Sequence, residues 1–204
     1  MLRTPHSLRS LAAALVATSA LLVAAASARA DAPGSPGCPT PTFEQPFPND
    51  PAQYVLVPGG SFEDGPADPS QWTGGGTVVT DDNAREGHGT NALSIPAGSS
   101  ATSPPMCVGL NYPTLRFYAR SADASKPGRV TVHVLFRTPD GVSRQLKIAD
   151  LPAGGVVWQP TRPVYILANL LALFPNWDGQ VSFRITASGG AVKVDDVYVD
   201  PYER

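Results

Sequence analysis

Apolar and polar residues alternate with a period of two along much of this chain. Leu115, Phe117 and Ala119 alternate with Arg116, Tyr118 and Arg120. Val130, Val132, Val134 and Phe136 alternate with Thr131, His133 and Leu135, and Val181, Phe183 and Ile185 with Ser182, Arg184 and Thr186. That period sends every second side chain to the same face, so each segment reads as a strand with one buried face. Shorter apolar runs lie at 54–57, 77–80, 92–95, 106–110, 145–148, 156–158 and 164–167. Val192 and Val194 share one parity, and Val197 and Val199 share the other. Turn signals punctuate the runs: Pro58-Gly59-Gly60, Gly74-Gly75-Gly76, Pro96, Pro139-Asp140-Gly141 and Ser188-Gly189-Gly190. About ten strands at this spacing, each with one polar face, predict an all-β fold of antiparallel sheets, a sandwich or barrel. Residues 166–174 mix Leu and Ala at loose helical spacing before Pro175, which predicts a short helix or turn.

Composition agrees with short strands and many turns. Of 204 residues, 19 are Gly and 22 are Pro, and only 16% are charged. Fifteen Lys and Arg against 17 Asp and Glu exclude a basic nucleic-acid binder on bulk charge.

The N-terminal segment departs from the alternating pattern. Residues 1–10 carry Arg3 and Arg9 and no acid, 11–26 is an unbroken run of Ala, Leu, Val, Thr and Ser, and Ala28-Arg29-Ala30 follows. Charged start, apolar middle and small-residue exit predict a secretory signal over 1–30, with a mature start at Asp31. The alternative is a membrane anchor, for which the run is slightly short of the ~20 residues a bilayer needs. Losing Arg3, Arg9 and Arg29 with the leader takes the net charge from −2 to −5. No later stretch is apolar enough to span a membrane, so the mature chain is expected to be extracytoplasmic, and a monomer.

Residues 31–52 form a proline-rich arm, with prolines at 33, 36, 39, 41, 46, 48 and 51. Proline fixes φ and removes a donor, so this arm cannot supply a central strand or a helix. A single sandwich domain is expected over 53–204. Cys38 and Cys107 are the two cysteines. In an exported chain they are expected to form a disulfide, closing a loop worth roughly 4 kcal/mol in the chain-entropy model. That bridge would pin the arm to the domain.

Several chemistries lack their residues. Beyond the leader only His88 and His133 remain, too few for a three-histidine zinc site, and no His-Glu-x-x-His occurs. There is no Gly-x-Ser-x-Gly elbow and no phosphate-cradling Gly-x-x-x-x-Gly-Lys loop. Scattered acids leave a glycosidase pair open to assembly by the fold, but no constellation supports an enzyme.

One constellation points to a family. The segment Val57-Pro58-Gly59-Gly60-Ser61-Phe62-Glu63, with Trp72 after it and Val194-Asp195-Asp196-Val197 near the end, resembles galactose-binding-like jelly-roll carbohydrate-binding modules of the cellulase-associated type, families 4, 9 and 22. Gly59 stands where those modules usually carry Asn. The Cys-containing arm and the ending Val194-Asp195-Asp196-Val197-Tyr198-Val199-Asp200-Pro201-Tyr202 also resemble small secreted proteins of high-GC Gram-positive bacteria. The resemblance implies a jelly roll whose first and last strands meet, with a structural calcium at the junction held by Glu63 and by Asp195 or Asp196. The parity change from Val194 to Val197 independently requires a bulge there. A carboxylate aimed inward by that bulge needs a partner, which calcium would supply; the alternative is two solvated acids on an edge strand.

Candidate ligand residues come from the outward faces. If 114–121 and 129–137 form a hairpin pairing Phe117 with Val132, then Arg116 faces His133, Tyr118 faces Thr131, and Arg184 joins the same sheet. A flat ring beside fixed donors suits sugar hydroxyls, although ordinary solvent-facing alternation explains the pattern equally. Trp177 lies in the turn Pro175-Asn176-Trp177-Asp178-Gly179 and is the stacking candidate, or a lid on the core. Trp72 and Trp158 read as packing residues. The sequence thus predicts a secreted, non-catalytic module binding carbohydrate or cell-envelope glycan. The alternative is an envelope-associated structural or protein-interaction module with no sugar site.

Overall fold

In the computed structural model the described residues are Cys38, 40–63, 72–81, 84–85 and 88–200. The signal-peptide assignment for 1–30 lies outside them. The strands are β1 (Phe43–Glu44), β2 (Tyr54–Leu56), β3 (Thr73–Gly74), β4 (Thr77–Thr80), β5 (Asn91–Ile95), β6 (Ser100–Thr102), β7 (Met106–Cys107), β8 (Thr114–Ser121), β9 (Arg129–Arg137), β10 (Ser143–Pro152), β11 (Gln159–Pro160), β12 (Val164–Tyr165), β13 (Gln180–Ser188) and β14 (Val192–Asp200). A single 3₁₀ turn, Ala168–Leu173, occupies the predicted helical stretch.

All pairings are antiparallel, and they make two sheets. Sheet A runs β1-β2-β14-β5-β4, with β8 along the other edge of β14 and β11 and β12 beyond β8. Sheet B runs β10-β9-β13-β6-β3, with β7 beside the start of β13. The inward parity predicted for the alternating strands holds. Leu115, Phe117 and Ala119 meet Val130, Val132, Val134, Phe183 and Ile185 in one core. Each such large apolar side chain contributes about 1.5–3 kcal/mol when fully buried. The result is a jelly-roll β-sandwich.

The predicted hairpin does not form. β8 belongs to sheet A and β9 to sheet B, joined by a crossover through residues 122–128. Phe117 and Val132 therefore face each other across the core rather than along a ladder. Alternation fixes which face is buried but not which sheet a strand joins, and a crossover buries the same residues as a hairpin.

The first and last strands do meet. Tyr198 and Val199 pair with Leu56 and Val55, and the main chain of Val57 and Gly60 exchanges hydrogen bonds of 2.9 and 3.0 Å with Val197. A Cβ on Gly60 would lie 2.8 Å from the Val197 carbonyl, so this approach requires glycine. Gly59 has φ +64°, a left-handed conformation that Asn also tolerates, so the departure from the Asn of the resembling modules preserves the turn. The β14 bulge is present: its register against β8 shifts between Asp195 and Tyr198, with Asp196 at φ +51°. All four valines of β14 consequently reach the core.

Cys38 and Cys107 form the disulfide, with Cα atoms 5.9 Å apart. It fastens the arm beside β7, and residues 45–53, between β1 and β2, then run over the outside of sheet A. Among the described residues no helix is long and apolar enough to cross a membrane.

Candidate functional site

The two outer faces differ in what covers them. On sheet A, Arg116 and Tyr118 leave the core as predicted, but they do not reach solvent. Phe47 of the arm stacks on Tyr118 at 5.4 Å and meets Tyr54 and Tyr198 edge-on at 4.8 and 6.0 Å. The Tyr118 hydroxyl donates to the Pro46 carbonyl at 2.9 Å, and the ring is only 4% exposed. The Arg116 guanidinium sits 4.0 Å above Phe47 and donates to Asp50 Oδ2 at 2.6 Å and to the Thr161 carbonyl. Burial lifts the Tyr54 phenol to about 12 and also raises Tyr118 and Tyr198. Tyr118 and Arg116 are thus parts of a second small core, and the expectation that they meet a ligand is corrected. The signal that was available is the arm itself. Apart from the two-residue edge strand β1, the described part of the proline-rich arm adds nothing to the sheet, and Phe47 beyond it packs across the sheet face instead.

Trp177 is corrected in the same way. It is 4% exposed and packs into the main core, folded down as a lid rather than offered as a platform. Trp158, expected in the core, is half-buried outside sheet A, with Arg120 5.2 Å from its ring. Trp72 packs against Phe62 at 5.5 Å, as expected of a packing residue.

The three acids nominated for calcium lie near one another but are largely engaged. Glu63 Oε1 accepts from the Thr90 and Asn91 amides at 2.9 and 2.7 Å, and its Oε2 from Asn91 Nδ2 at 3.2 Å. Asp196 lies 3.5 Å from Arg85 Nε. Asp195 accepts the Asp196 amide at 2.8 Å. Burial, then the neighbouring Asp196, lifts the Asp195 carboxyl to about 8, while burial lifts Asp196 to about 6 against the pull of Arg85. Among the described residues no three His, Cys, Asp or Glu side chains are grouped to hold an ion. Calcium wants six to eight oxygens, and these side chains do not fit it on their own.

Sheet B is the face with no covering segment among the described residues. Its register aligns Lys147, His133, Arg184, Thr102 and Thr73 in one row across β10, β9, β13, β6 and β3. Gln145, Leu135 and Ser182 form the next row. His133 and Arg184 are therefore neighbours on one outer face, as predicted, while Arg116 and Tyr118 are on the other side of the sandwich. Arg184 Nη1 donates to Gln145 Oε1 at 3.0 Å and its Nε to Thr102 Oγ1 at 3.2 Å. His133 Nδ1 has no hydrogen-bond partner, and burial followed by Arg184 and Lys147 holds its ring below the ordinary imidazole range. Beyond Leu135 the sheet opens into a cleft of about 270 Å³, lined in part by Leu135, Arg137, Ser143, Arg144, Ser182 and Asp178. Lys147, Gln145 and Arg137 were not singled out in the sequence, because only the β9–β10 pairing brings them to this face; Arg144, opposite Phe136, has the other parity and reaches the cleft from the end of the sheet.

No family model matches the chain and no curated protein matches it. Solved structures do. The tandem CBM22-1–CBM22-2 domain of Paenibacillus barcinonensis Xyn10C aligns with a TM-score of 0.50 at 14% identity, over 76% of this chain and 47% of that one. The chain thus spans about half of the tandem. The single CBM22-1 xylan-binding domain of the same protein aligns at 0.48 and 17%, over 73% of this chain and 94% of that one. The C-terminal family 22 carbohydrate-binding module of Clostridium thermocellum Xyn10B aligns at 0.48 and 12%, over 74% and 96%. The shared property is the jelly-roll fold.

Proposed function

We propose that this chain is an exported, non-catalytic glycan-binding module, and that it binds on the outer face of sheet B. The observation that carries the reading is the cleft beside β9, β10 and β13, which opens onto the polar row through His133 and Arg184. An apolar floor at Leu135 flanked by hydroxyl, amide and guanidinium groups suits a sugar, whose CH faces need apolar contact and whose hydroxyls need fixed donors and acceptors. The shared fold is one that hosts carbohydrate-binding modules. Of the described residues lining the cleft, Asp178 alone is a carboxylate, whereas glycoside hydrolysis uses two. A glycan array with the exported protein tests the reading. Binding is expected, and it should fall at least tenfold in Arg184→Ala and Gln145→Ala. A folded protein that retains no glycan overturns it.

A specific feature favours the second reading, an interaction module with no sugar site. Leu170 and Leu173 lie three residues apart on the 3₁₀ turn, which stacks them on one ridge, with Leu167 just before it. They are 49–67% exposed, with Tyr165 and Phe174 beside them. Leu170→Glu together with Leu173→Glu removes this ridge without touching sheet B. Under the glycan reading the double variant keeps its array signal.

A further inference from the structure

The outer face of sheet B is cationic as well as polar. Lys147, His133 and Arg184 stand side by side on adjacent strands, and Arg137 and Arg144 line the adjoining cleft. Asp140, which feels the charge of Arg144, and Asp178 offset these cations only in part. Asp150 is engaged by Arg129 at 2.6 Å, and Asp140 accepts from Thr138 within its own turn. Asp178, at the cleft, accepts the Gln180 amide at 3.1 Å. The chain as a whole is acidic, at −2 with its leader counted. Lys147 and Arg184 flank the His133 ring, which their charges and its burial keep from taking up a proton, and the repulsion between the two cations is relieved by an anion. Adjacent strands put these groups about 4.8 Å apart, and Arg137 lies about 13 Å from His133 along β9. That spread matches a polymer with repeated charges better than one small anion.

We infer that the ligand of this face is an acidic glycan, a saccharide or polyol polymer carrying carboxylates or phosphodiesters at regular intervals. The inference rests on the glycan-binding reading and names its ligand class. Arg137 donates Nε and Nη2 to the Gly141 carbonyl and Arg184 donates Nε and Nη1 to Thr102 and Gln145, so both meet carboxylate or phosphate oxygens through their charge and remaining N–H groups, while Lys147 supplies a point charge. Ser182 and the donor ends of Thr102 and Gln145, whose oxygens accept from Arg184, are left for hydroxyls.

Affinity electrophoresis of the whole exported protein in gels holding polygalacturonate, poly(glycerol phosphate), neutral xylan or DNA tests this. Retardation is expected in one of the first two gels, at least tenfold stronger than in xylan and weakening as salt rises. Which of the two retards identifies carboxylate or phosphodiester as the source of charge. Lys147→Glu with Arg137→Glu should lose at least tenfold in affinity. Lys147→Gln with Arg137→Gln keeps the test alive if charge reversal impairs folding. Equal retardation by xylan, insensitive to these substitutions, overturns the acidic ligand and leaves the binding module standing. Retardation by DNA as strong as by either acidic polymer overturns it in favour of unselective polyanion attraction. No retardation in any gel removes both readings.

Discussion

Two arginines sit at comparable places on opposite sides of this sandwich, and their surroundings are unlike. Arg116, in the middle of β8, is clamped by Asp50, the Thr161 carbonyl and the ring of Phe47. Arg184, in the middle of β13, reaches Thr102 and Gln145, two neutral side chains of its own sheet. The strands carrying them have the same alternation of apolar and polar residues. The difference is supplied by residues 45–53, which lie across one sheet. A polar position on an alternating strand is therefore known to leave the core; whether it meets water depends on segments far away in sequence.

The strongest way to break this contrast is to release the arm. Cys38→Ser removes the tie to Cys107, across a sequence separation of 69 residues. The chain-entropy model puts the loss at roughly 4 kcal/mol. Chemical denaturation should show it, together with faster proteolysis within 40–53. A variant as stable as the parent would mean that the aromatic contacts alone hold the arm.

Next comes Tyr118→Ala, expected to cost about 3 kcal/mol, in the range for emptying a buried aromatic site. Tyr118→Phe keeps the stacking on Phe47 and loses only the bond to Pro46, about 1 kcal/mol. Were Tyr118 an exposed sugar platform, both changes would stay within about 0.5 kcal/mol.

Asp195 gives the covered face a pH dependence. Its carboxyl titrates near 8 when folded, against an ordinary value of 3.8. The folded state therefore holds a proton that the unfolded chain releases between those limits. Stability contributed by the neutral form is fully present below about pH 4 and is lost as pH rises towards 8. Asp195→Asn should flatten this trend, raising the melting temperature relative to the parent more at pH 8 than at pH 5. If a calcium ion were compensating these acids, chelator would lower the melting temperature of the parent instead, since an ion bound only by the folded state stabilises it by mass action. An unchanged melt in chelator with the pH trend intact favours the proton.

Much of the architecture was legible because period-two alternation is a direct record of the pleat. The inward residues of β8, β9 and β13, the bulge at Asp195–Asp196 and the Cys38–Cys107 bridge all follow from local pattern or from counting. Strand partners were not legible, since Phe117 and Val132 satisfy the same pattern in a hairpin or across a crossover. That one ambiguity moved Arg116 and Tyr118 to the wrong side of the candidate site while leaving His133 and Arg184 together. Trp177 was illegible for another reason: a turn Trp packs inward or outward according to the space beneath it, and that space belongs to other strands.

The smallest effect is the one that separates the two faces most cleanly. Arg116→Ala should cost about 1–2 kcal/mol, because it takes the cation from Asp50, which keeps its bonds from Tyr54 and Ala52, and uncovers the Phe47 ring. Arg184→Ala should stay within about 0.5 kcal/mol, because Thr102 and Gln145 turn to water when the guanidinium is removed. Binding should respond in the opposite sense. Arg116→Ala, measured where the variant is fully folded, should retain its glycan affinity, whereas Arg184→Ala should lose it. Paired denaturation and binding curves on the two variants read both quantities. If Arg184→Ala destabilised the protein as much as Arg116→Ala, the outer face of sheet B would be structural, and its cations would be holding the sheet together rather than facing a ligand.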